Sequence, residues 1–152
     1  MTRAAVMDEL TQVRNDLLAA LDRVPSEGWD RPTPGNPRWS VSRVAAHLAL
    51  TEDDIRTYAA LMARFGLSLP YADWLFDLNN ATRLRLRRHA DPERTLLSLG
   101  QARARTIAYV ESLPEERLLR AGFPRIAEAP TVEEALLWIG RHERDHIKEL
   151  SS

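Results

Sequence analysis

At 152 residues the chain has the length of one ordinary domain, enough to bury a core without disulfides or a structural metal. It contains no cysteine, which excludes a disulfide framework, a thiolate metal site and a cysteine nucleophile, so any metal must be held by nitrogen and oxygen ligands. The net charge of −1 lacks the basic surplus of a nucleic-acid binder, and no apolar run approaches the roughly 18 residues of a membrane span, so the sequence reads as a single soluble, cytoplasmic domain over residues 1–152.

Val6, Leu10, Val13, Leu17, Leu21 and Val24 recur at spacings of four and three, which predicts an amphipathic helix over residues 3–24. The following PSEGWDRPTPGNPRWS holds four prolines and two glycines and reads as loop, with Ser40 placed to cap a second helix. That helix is predicted from Val41 to about Phe65, with Val44, Leu48, Ile55, Tyr58 and Met62 on its apolar stripe and Gly66 ending it. After GLSLPYAD, Trp74, Leu75, Leu78 and Ala81 predict a shorter helix to about Arg88; TRLRLRR alternates like a strand, but its composition and neighbours favour helix. Asp91, Pro92 and Glu93 supply a cap, a first-turn proline and an acid facing the helix dipole, opening a helix that runs to about Ser112. LPEERLLRAGFPRIAEAP reads as an irregular connection, after which Thr131 and Glu134 form a T-x-x-E capping box for a last helix from Val132 nearly to the C-terminus.

Strand signals are too few to build a sheet. The expected fold is an all-α four-helix bundle with an additional shorter helix in the crossover between helices 2 and 3. Its three long connections argue against an up-down-up-down arrangement with tight turns.

The last helix contains GRHERDHIKEL, in which His142, Glu143 and His146 spell H-E-x-x-H. At about 100° per residue, both histidines and Glu143 share the face of Ile139, where leucines would be expected. Two imidazoles at i and i+4, about 6 Å apart along the axis, are the usual way for a helix to present a pair to one metal ion. In the proteases with this spelling the glutamate is a general base and a third ligand lies downstream. Here only Ile147 to Ser152 remain, with no His, Asp or Cys among them and Glu149 too close along the same helix, which argues against a peptidase.

Upstream, His47 lies near the start of the second helix, toward the flank of its apolar stripe, and His89 ends an arginine run that reads as surface. The expected metal ligands are therefore His47, His142 and His146. Glu143 is the candidate catalytic base, or else a carboxylate paired with an arginine. Thr51 and Asp54, one and two turns beyond His47, are candidates to support the ligands. The arginines of TRLRLRR could attract an anionic cofactor, although such a run more often forms a solvated face.

WSVSRVAAHL, Trp39 to Leu48, followed about a hundred residues later by HERDHIKEL, resembles the DinB/YfiT-like superfamily over nearly the whole chain. The resemblance implies a four-helix bundle, often a homodimer, with one divalent metal held by three histidines and open to solvent. By position, His47 matches the ligand on helix 2, and His142 and His146 match the pair on the last helix. Relatives in that superfamily include thiol-dependent S-transferases using bacillithiol or mycothiol, and hydrolases. The expectation is a divalent metal (zinc, nickel or iron) activating a low-molecular-weight thiol or water against a small electrophile, most of all as an S-transferase. The alternatives are a hydrolase of the same fold and a non-enzymatic bundle whose metal or histidine cluster is structural.

Overall fold

The computed structural model describes residues 1–67, 91–123 and 129–151. Four long helices carry the architecture: α1 (Arg3–Asp22), α2 (Val41–Phe65), α3 (Pro92–Ser112) and, after a one-turn helix α4 (Glu115–Leu118), α5 (Val132–Ser151). Their ends follow the capping chemistry. The Ser40 hydroxyl accepts from the Arg43 N–H at the head of α2, and the Asp91 carboxylate accepts from Glu93 N–H at the head of α3. Thr131 Oγ1 accepts from Glu134 N–H at the head of α5, while the Glu134 carboxylate turns to Arg141. Gly66 ends α2 in the left-handed region, φ 69°, where a side chain would be strained. Helix α1 stops at Asp22, short of residue 24, because Pro25 disfavours helical geometry in the residue before it.

Around the bundle the order is α1, α5, α2, α3, so the consecutive helices α1 and α2 face each other across a diagonal. Directions follow from the contacts. Met1 reaches Glu133 and Arg14 reaches Glu143, so α1 and α5 run the same way. Arg3 donates to Leu113 O while Arg14 donates to Leu99 O, so α3 opposes α1. Glu52 meets Arg103 and Asp53 meets Arg105, one after the other, so α2 and α3 are parallel. Helix α2 therefore ends, and α3 begins, at opposite ends of the bundle. The expected shorter helix from Trp74, the TRLRLRR arginines and His89 lie outside the described residues.

Two local findings differ from the expectation. The proline-rich stretch before α2 is not all loop: a 3-10 turn (Ser26–Gly28) leads into a hairpin of β1 (Pro32–Thr33) and β2 (Asn36–Ser40). An isolated two-stranded hairpin is marginal in water, and this one is held by docking. Gly35 N–H donates to Glu149 O at 2.9 Å, and a Cβ on Gly35 would stand 2.7 Å from Glu149 Cα, so glycine is required for the approach. The connection before α5 likewise contains α4 and an antiparallel bridge between Ala121 and Thr131.

Among the described residues the core has two large apolar clusters, besides a small one of Ala46 and Leu50. One, toward the hairpin, includes Leu17, Leu21, Val44, Leu48 and Leu99. The other includes Val6, Leu10, Met62, Val110, Leu136 and Ile139. Between them lies a layer of charge: Arg14, Glu52, Arg103 and Glu143, one from each long helix, all buried.

Candidate metal centre

Helix α2 brings His47 and helix α5 brings His142 and His146 to the same place, because the two helices are antiparallel neighbours and the hairpin-side half of α2 lies against the C-terminal half of α5. Each histidine offers a ring nitrogen, and the three nitrogens lie within 4.8 Å of one another. His47 Nε2 and His142 Nε2 approach to 2.9 Å. His47 is buried and the other two are half-buried, so the cluster sits at the edge of the core and not in its dry centre.

The far side of two rings is engaged. Thr51 Oγ1 lies 3.3 Å from His47 Nδ1, and Glu149 Oε2 lies 2.8 Å from His146 Nδ1. When each Nδ1 carries its proton and donates to these oxygens, each Nε2 is left with a free lone pair, the arrangement that orients histidine ligands in metal sites. Aromatic walls restrain the rings. Trp39, on β2, meets His47 edge-on with centroids 4.9 Å apart and lies nearly parallel to His146 at 6.2 Å. Trp138 stacks on His142 at 4.6 Å, one turn earlier on α5. Arg43 in turn lies over Trp39, 4.8 Å from the ring centroid.

The electrostatics favour neutral imidazoles. Burial, followed by the neighbouring His142, His146 and Arg43, pushes His47 down from 6.5 to about 3. Burial and then His146, opposed by Asp145, push His142 down to about 4. Near neutral pH both rings are deprotonated donors. Three closely spaced imidazoles, two of them with their outer nitrogens engaged, fit a divalent ion of the nitrogen-binding kind.

Glu143, although it stands between the paired histidines in sequence, faces the charged layer. Its Oε1 accepts from Arg14 Nε at 3.1 Å and from Arg14 Nη2, and lies 3.0 Å from Arg103 Nη2; its Oε2 is buried without a hydrogen-bond partner among the described residues. Asp54 is half-buried on α2. Sequence reasoning passed over Trp39, Trp138 and Glu149 as neighbours of the three histidines. A signal existed for the last two, since Trp138 precedes His142 by four residues and Glu149 follows His146 by three. Trp39 reaches the site through a hairpin that the proline content concealed.

A family profile described as the DinB superfamily matches residues 9–150. The chain belongs to the DinB superfamily. No curated protein matches it. Among solved structures it is similar to YfiT from Bacillus subtilis, with a TM-score of 0.73 and 21% sequence identity over 98% of this chain and 83% of that one. That protein is described as a probable metal-dependent hydrolase with an unusual four-helix bundle topology.

Proposed function

We propose that the chain is a metal-dependent enzyme in which His47, His142 and His146 hold one divalent ion, and that it hydrolyses a small electrophilic substrate. The observation that carries this reading is the convergence of three imidazole nitrogens within 4.8 Å, supplied by two separate helices. A bound divalent ion would supply Lewis acidity, lowering the pKa of water or of a thiol toward neutrality. The protein's own part is orientation and exclusion. Thr51 and Glu149 hold the Nδ1 protons of His47 and His146, burial keeps His47 and His142 unprotonated, and Trp39 and Trp138 limit how the three rings can turn. The published description of YfiT supports water as nucleophile. Transfer from a bacillithiol- or mycothiol-like thiol is the competing chemistry carried by the family resemblance. Glu143 is assigned to the ion-pair layer and not to proton transfer, on the strength of its contacts with two arginines.

Metal analysis followed by turnover tests the proposal. Protein purified from metal-supplemented cells is expected to hold one divalent ion per chain, and His142→Ala to lose it while remaining folded. Esters, amides and other electrophiles are then offered with and without added thiol. Metal-dependent turnover without thiol supports hydrolysis, and turnover only with thiol replaces it by transfer. Stoichiometric metal with no reaction above free metal would leave a structural ion, and wild-type protein without metal would refute the site itself.

A further inference from the structure

The charged layer between the two apolar clusters is built as a closed square. Arg14 Nη2 lies 2.5 Å from Glu52 Oε2 and also bonds Glu143 Oε1; Arg103 Nε lies 3.1 Å from Glu52 Oε1, and Arg103 Nη2 lies 3.0 Å from Glu143 Oε1. Each arginine touches both glutamates. Each guanidinium also holds a backbone carbonyl: Arg14 Nη1 donates to Leu99 O, and Arg103 Nη1 donates to Leu10 O at 2.8 Å, while Arg103 Nε and Nη2 face the two carboxylates as ion pairs without a hydrogen bond among the described residues. All four side chains are buried, Glu52 and Glu143 to within 1% of complete. A core of this size does not need ions for cohesion, and replacing such a group with apolar residues is often neutral or stabilising.

The placement of the four charges is selective. The two glutamates sit on the two helices that carry the histidines, and the two arginines on the two that do not. Glu143 immediately follows His142 and precedes His146 by three residues. Glu52 follows Thr51, whose hydroxyl contacts His47 Nδ1. Apolar packing is non-directional and lets two aliphatic stripes rotate or slide at modest cost, whereas the Arg14 guanidinium donates to Glu143 Oε1 through Nε and Nη2 and to Glu52 Oε2 through Nη2, and charge-assisted hydrogen bonds from one planar group specify both angle and height. A slip of one turn moves a side chain by about 5.4 Å, far more than the 2.9 Å separation of His47 and His142 could survive. The layer also sums to zero charge, so it does not attract a cation by net field.

We propose that Arg14 and Arg103 are positioning residues for the metal centre: by gripping Glu52 of α2 and Glu143 of α5 together, they fix the mutual register of those helices and thereby the convergence of His47 with His142 and His146. The affinity readout rests on the metal-site reading above, while the register itself is readable in metal-free protein.

The experiment compares wild type with an apolar-layer variant, Arg14→Met, Glu52→Leu, Arg103→Met and Glu143→Leu together, and with Arg103→Lys, which keeps the charge but loses the planar group that reaches both carboxylates and Leu10 O at once. Helicity and thermal midpoint establish folding. Cobalt(II) binding, followed by its visible ligand-field bands, reports the site, and ring-to-ring nuclear Overhauser contacts between His47 and His142 report the register without metal. The expected result is a folded apolar-layer variant whose midpoint equals or exceeds wild type. It should bind cobalt at least about tenfold more weakly, the scale of losing an orienting partner, with altered bands and no His47–His142 contact. Arg103→Lys is expected to fall between the two, and it decides the matter alone if the fourfold variant does not fold. A folded variant with wild-type cobalt affinity, bands and ring contacts would overturn the proposal. If wild type bound no cobalt, the metal reading would fail, and the ring contacts in metal-free protein would still decide the register.

Discussion

His146 is oriented by a carboxylate three residues ahead of it, and that small fact sets a measurable dependence. Glu149→Ala removes the acceptor for the His146 Nδ1 proton, and metal affinity, measured by titration, is expected to fall about 10–100-fold with helix content unchanged. Protonation of the metal-free protein follows from burial of the other two rings. His47 at about 3 and His142 at about 4, each against 6.5 when unfolded, refuse protons that the unfolded chain binds. Their contribution is therefore fully present above pH 6.5 and is lost as the pH falls toward 4 and then 3, with a slope of up to about 1.4 kcal/mol per pH unit for each ring. Urea midpoints between pH 7 and pH 4 are expected to flatten in His47→Gln and His142→Gln; an unchanged profile would trace the acid sensitivity to other groups. At this scale the sequence was informative about the metal-binding candidates, because histidines on a leucine stripe stand out. It was ambiguous about Glu143, because the spacing that puts an acid beside a histidine pair does not say which way its carboxylate is pulled by helices elsewhere in the chain.

The helices announced themselves through local chemistry. Ser40, Asp91 and Thr131 cap the helices whose starts they mark, and Gly66 stops α2, because caps and left-handed glycines act within a few residues. The hairpin did not. NPRWS carries a proline and no alternation, and its stability comes from a partner more than a hundred residues away, the end of α5. Gly35→Ala tests that attachment. Its Cβ would meet Glu149 backbone, which cannot retreat as a flexible side chain could. The expected cost is about 1–3 kcal/mol in denaturant unfolding, the usual range for overpacking, together with weakened metal binding as Trp39 loses its support. Full stability in this variant would mean that the hairpin is not anchored there.

Across the whole molecule the four buried charges were legible in part. Arg14, Glu52, Arg103 and Glu143 each follow a buried aliphatic residue by four positions, namely Leu10, Leu48, Leu99 and Ile139. Each thus lies on its helix's inner face. What no single helix discloses is that the four meet, because that depends on the diagonal placement of α1 and α2 and the parallel run of α2 and α3. Their mutual dependence predicts an asymmetry. Arg103→Met alone leaves two buried carboxylates to share Arg14, with one negative charge uncompensated, and is expected to cost about 3–5 kcal/mol in chemical denaturation, whereas removal of all four charges should cost little or nothing. A fourfold variant that lost more than Arg103→Met, toward the sum of the single losses, would show that the charges act independently.

An ionic layer that parts the core also parts its mutational future. Val6, Met62 and Leu136 lie in the cluster across the layer from Leu48 and Leu99, so methyl-group exchanges in the two clusters are expected to combine additively, except where Trp138, packed against the first cluster and stacked on His142, joins it to the histidines. A library directed at the surroundings of the three histidines can then be confined to Val44, Leu48, Leu99, Trp138 and their neighbours, leaving the remainder as an inherited chassis.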